Sequence, residues 1–166
     1  MPKPQTLTIG NLNHLVTGYA YFHRDVMDPF LPDLSPEANT RRPGYFSDKE
    51  GKLFTPGQTV AWNAQKVLDQ SVDIILDLDE RVFVDRVVLR QDPAFSSAIA
   101  AVEVWTKEET ESFFLAGARR AENGGNLPDK EIEVPVAADA DTLLVRVVGC
   151  FRNIAIAGLD IFGSAF

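Results

Sequence analysis

A single cysteine, Cys150, stands in 166 residues. An intrachain disulfide is therefore impossible, and no zinc centre can be built from cysteines. Cys150 lies in the apolar run Val147-Val148-Gly149-Cys150-Phe151, where it reads as a small packed hydrophobe rather than a nucleophile. Histidine is almost as scarce. His14 and His23 are the only two, which limits metal ligation and general-base chemistry. Positive charge is also in deficit: 16 Lys and Arg face 24 Asp and Glu, for a formal net charge of −8. Such a surface repels phosphate backbones, so nucleic acid and anionic membranes are excluded as expected partners. No apolar stretch is long enough to cross a bilayer, and membrane insertion is not expected. The opening Met1-Pro2-Lys3-Pro4-Gln5 lacks the apolar centre of a signal peptide. The chain is thus either cytoplasmic or a mature or excised piece of a larger secreted protein.

Catalytic signatures are missing as well. There is no Gly-x-Ser-x-Gly elbow, no His-Glu-x-x-His and no phosphate-binding glycine loop. Asp77 and Asp79 share one strand face, but a solvated pair on an exposed sheet looks the same as a glycosidase pair. An enzyme is the least expected of the readings.

Long amphipathic helices are absent, and short runs of period two take their place. In Ser71–Glu80, Val72, Ile74, Leu76 and Leu78 point one way, and Asp73, Asp77 and Asp79 the other. Ile75 is the exception. Val82–Arg90 follows at once, and the Asp79-Glu80-Arg81 link predicts a hairpin. Further strands are expected at Leu15–Phe22, Ala101–Thr106, Ser112–Ala118, Glu131–Val136, Thr142–Val148 and Ile154–Phe162. Turn formers bound them, among them Asn123-Gly124-Gly125-Asn126 and Ala138-Asp139-Ala140-Asp141. Many short strands with regular turns predict an all-β antiparallel sandwich, a jelly roll of roughly eight or more strands. The length suits one domain over residues 1–166, with residues 1–6 flexible. Between the first strands, Arg24–Gly57 is a long segment rich in proline, aspartate and aromatics. It either carries function or wraps the sandwich and plugs one end with Phe30, Leu31 and Leu34.

The order of these landmarks resembles the galactose-binding-like jelly-roll superfamily, which includes discoidin domains and family 32 carbohydrate-binding modules. Asn11-Leu12 with Gly18-Tyr19 is similar to the opening strand, and Tyr45–Gly51 to the aspartate-glycine turn. Val60-Ala61-Trp62 resembles the tryptophan position. Asp73–Asp79, Val84–Leu89 and Val102–Thr106 are similar to the three strands that follow, and Ala155–Gly163 to the closing one. The resemblance implies a binding module, extracellular or periplasmic, whose partner is a glycan or other domains of a larger protein. The alternative is a protein–protein or structural jelly roll with no sugar site. Many relatives hold a structural calcium through the aspartate turn and a glutamate early in the last strand. The aspartate corresponds to Asp48, but the glutamate position holds Gly158. Calcium takes about six to eight oxygens, so neither a metal nor any other cofactor is expected.

A saccharide needs an apolar face for its ring and planar donors for its hydroxyls. The resemblance sets the ligand in loops at one end of the sandwich. Here those loops carry Arg90, at the exit of its strand, and Phe151-Arg152-Asn153, before the last strand. His23 leaves the first strand toward the same end, and Trp62 is either a stacking platform or buried. In the competing reading Arg90 and Arg152 pair with nearby carboxylates and Phe151 caps the core. Trp105 alternates with Val102 and Val104 and so faces away from the main core.

Overall fold

The computed structural model describes residues 8–23, 52–54, 57, 59–62, 71–92, 99–108, 112–121, 127, 130–149 and 154–165. Among them are eight strands: β1 Gly10–Asn11, β2 Val16–His23, β3 Val60–Trp62, β4 Ser71–Gln91, β5 Ile99–Lys107, β6 Phe114–Arg120, β7 Glu131–Gly149 and β8 Ile154–Ala165. Every pairing is antiparallel. The all-β jelly-roll sandwich expected from the period-two runs is what forms.

Two expected turns are not chain reversals. Asp79-Glu80-Arg81 lies inside β4, which runs 21 residues without turning back. Ala138–Asp141 likewise lies inside the 19 residues of β7. A hairpin at either place would fold the two halves onto each other. Instead, β4 and β7 pair with each other from Ser71↔Val148 to Arg90↔Glu131. The turn-forming residues are absorbed as bulges. Asp77 pairs with Thr142 and Val82 with Ala140, so Leu78–Arg81 face Asp141 alone. Farther along, Val136 and Ala137 face Asp85 alone, and Ala137 takes a left-handed φ of 52°. Such bulges bend a strand and raise its twist, and they let one strand pass between the two sheets of a sandwich. Arg81 spans the first bend, with Nε donating to Glu108 at 2.6 Å and Nη2 to Asp139 at 2.9 Å.

The first half of β4 joins β2 on one side and the last half of β7 on the other, which continues to β5 and β6. The second half of β4 joins the first half of β7 and β8, and β8 carries β1 and β3. Inward side chains from both halves share one cluster: Ile74 and Leu76, Val87 and Leu89, Val104, Val134, Val145, Leu159 and Ile161. Each contributes about 1.5–3 kcal/mol through burial. The inward set of β4 runs Val82, Val84, then Val87 and Leu89. It slips phase at the second bulge, as a one-residue shift must.

The first sheet is buried on its second face too. Asp73, Ile75, Leu144 and Arg146 are all buried there, which accounts for Ile75 as the exception to alternation. Arg146 and Asp73 are cross-strand partners, and the guanidinium grips both carboxylate oxygens at 2.8 and 2.9 Å. Glu103, the partner of Arg146 on β5, takes donations from Trp105 Nε1 at 3.2 Å and Arg120 Nη2 at 2.8 Å. Trp105 does face away from the main core. Its ring centre lies 5.8 Å from the Arg146 guanidinium carbon.

Candidate functional site

The bend in the β4–β7 ribbon brings both ends of β4 to one end of the sandwich. Leu127 makes this explicit, because its N–H donates to Ile99 at 2.7 Å while its carbonyl accepts from Gln91 Nε2 at 3.0 Å. Ile99 opens β5 beside Gly149, the last residue of β7, whereas Gln91 closes β4. His23, the last residue of β2, pairs with Val72 near the start of β4. Trp62 closes β3 opposite Ile154, the first residue of β8. The strand ends that carry or flank the six proposed ligand residues therefore converge.

Each predicted residue has its own status. His23 and Trp62 hold those backbone positions, and their side chains lie outside what the structure describes. Phe151, Arg152 and Asn153, which immediately precede Ile154, lie outside the described residues, as does Asp48. Arg90 is fully described. It pairs in register with Gly158 and is about one-third exposed, and its Nη1 donates to Asp160 Oδ2. That ion pair is the arrangement anticipated by the competing reading of Arg90.

Arg90 and Ala157 line two neighbouring cavities on the second sheet's outer flank. One, of about 410 Å³, is completed by Gly57, Thr59, Gln91, Asp92 and Lys130. Thr59 Oγ1 donates to Asp92 there at 2.6 Å. The other, of about 230 Å³, is completed by Asn13, Leu53, Phe54, Leu159 and Asp160. Asp160 is a junction: its Oδ1 accepts from Asn11 Nδ2 at 3.2 Å and Asn13 Nδ2 at 3.0 Å. Asn13 also clips the N-terminal segment to β8, donating to the Leu159 carbonyl at 3.0 Å and accepting from Ile161 N at 2.9 Å. Sequence reasoning missed this junction. The available signal was an acid alternating with Leu159 and Ile161, but its partners follow only from the register that sets Gly158 beside Arg90.

The architecture has known counterparts. A two-module structure of CBM32-1 and CBM32-2 from Clostridium perfringens ZmpB, in complex with GalNAc, matches 98% of this chain. The match has a TM-score of 0.58 and 9% identity and covers 40% of that structure. The fold is that of a galactose-binding-like jelly roll. The same galactose-binding-like fold appears in CpGH89CBM32-6, also from Clostridium perfringens, at a TM-score of 0.52 and 8% identity, over 68% of this chain and 83% of that one. CpGH89CBM32-5, in complex with GalNAc-β-1,3-galactose, matches at 0.50 and 12% identity, over 63% and 74%. No protein-family model matches the sequence, and no curated protein matches it significantly.

Proposed function

We propose that this chain is a non-catalytic carbohydrate-binding module, an appendage of a larger glycan-active or surface protein. Its sugar site lies at the end of the sandwich where β2, β3, β4 and β8 begin or finish. The observation that carries this reading is the convergence of His23, Trp62, Gln91 and Ile154 at one end. Phe151-Arg152-Asn153 is joined directly to it. Phe151 and Trp62 supply ring-stacking faces, and Arg152 and Asn153 supply planar donors and an acceptor. Arg90, tied to Asp160, supports the flank of this site rather than leading it. Jelly-roll modules of the same fold whose structures hold GalNAc or GalNAc-β-1,3-galactose support the choice of ligand class.

The test is a glycan array on the isolated chain, followed by calorimetric titration of the best binder. Open sites lose much of their contact energy to association entropy. Binding of about −4 to −6 kcal/mol is therefore expected, millimolar to high micromolar. An array with no signal would overturn the reading. A second reading, an interaction domain without a sugar site, draws on β6. Phe114 and Leu115 are exposed there on the last strand of its sheet, where uncovered apolar side chains invite a partner.

A further inference from the structure

The calcium implied by the family resemblance does not fit the residues that meet at Gly158. A Cβ on Gly158 would overlap Nη2 of Arg90 and would lie 2.9 Å from its Cζ and 3.2 Å from Nε. The space in which a carboxylate at this position would begin is filled by a guanidinium. The nearby acid, Asp160, is already committed: one oxygen receives Arg90 and the other receives the Asn11 and Asn13 amides. Among the described residues, no three His, Cys, Asp or Glu side chains come together as a metal site would require. Among the described residues, a divalent ion beside Gly158 would meet a fixed positive charge and few of the about six to eight oxygens that calcium takes.

We propose that Arg90 is the built-in cation of this chain. Its guanidinium supplies, through Asp160, the positive charge that ties the exit of β4 to β8 and to the N-terminal Asn11–Asn13 turn. Three features of guanidinium chemistry suit it to the task. It spreads its charge over a plane, it donates in fixed directions to a carboxylate, and it is flat enough to lie against a residue with no side chain. Gly158 is thus the complement of Arg90, one residue giving the space that the other fills. The tie does not depend on the sugar-binding reading.

The test is thermal unfolding of the whole chain with excess calcium and with EDTA, for wild type and three variants. Wild-type curves are expected to coincide, because an ion that binds only the folded state would raise Tm. Arg90→Ala is expected to melt about 2–4 °C lower, the shift due to a partly exposed ion pair in a chain of this size. The drop should be the same in both solutions. Arg90→Met, similar in length but uncharged, should melt with Arg90→Ala, and Arg90→Lys should recover part of the loss. A calcium-dependent rise in wild-type Tm would overturn the proposal by showing that a metal supplies the charge. Wild-type melting of Arg90→Met would overturn it by showing that packing alone matters.

Discussion

Two of the arginine–aspartate pairs that tie β4 to its neighbours have opposite surroundings. Arg146 and Asp73 link β7 to β4 on a sheet buried on both faces, with side chains 5% and 0% exposed. Arg90 and Asp160 link β4 to β8 at the rim of two cavities, with side chains 33% and 19% exposed. The same chemistry does different work in the two places. In the sealed pair both charges are taken out of water, so the pair constrains the fold while contributing little net stability. The open pair is partly solvated and screened, so it contributes modestly and fixes position.

The largest expected effect comes from breaking the sealed pair. Arg146→Ala takes the guanidinium away from buried Asp73, which should cost about 3–5 kcal/mol in urea unfolding. Replacing both partners, Asp73→Leu with Arg146→Met, should recover most of that loss. A double variant as unstable as the single would show that Glu103 and Trp105, rather than the pair, set the cost.

A smaller effect is expected at the open pair. Gly158→Ala forces Arg90 aside and should cost about 1–3 kcal/mol, the usual range for overpacking. Gly10→Ala has nothing within 4 Å of its new Cβ and should unfold with wild type. Equal stability of the two variants would mean that Arg90 yields freely.

The smallest effect concerns Asp77, four residues along β4 from Asp73, where the neighbouring charges are Lys107 and Asp141. Burial raises its pKa above the ordinary carboxylate value, Lys107 lowers it in part, and Asp141 adds to the rise. The folded state therefore holds this proton more tightly than the unfolded state. The penalty on folding is absent below the unfolded pKa, grows as pH rises toward the folded pKa and is complete above it. Asp77→Asn should raise Tm slightly at pH 7, and the gain should shrink as pH falls through the carboxylate range. A gain independent of pH would remove the buried charge as its cause.

The strands were legible because burial of one sheet face writes a period of two into Val72, Ile74, Leu76 and Leu78. Continuity was not legible. Asp79-Glu80-Arg81 and Ala138–Asp141 have the composition of turns, and a bulge draws on the same residues as a reversal. Only pairing partners distinguish the two. Ile75 did carry information, since an apolar residue on the polar face marks a sheet covered on both sides. The Arg90–Asp160–Asn13 junction was hidden for a different reason. Its members are 70 and 147 positions apart, and no local pattern encodes such a meeting.

Whether the loop end of the sandwich binds a saccharide is decided by Phe151→Ala. Wild type and variant would be titrated with the best glycan from the array, and each would be unfolded in urea. The variant is expected to lose measurable binding while its stability stays near wild type, the outcome for a ring that stacks on the sugar and does not fill the core. A variant that loses about 3–5 kcal/mol, the cost of emptying a core site, yet still binds the sugar would contradict it.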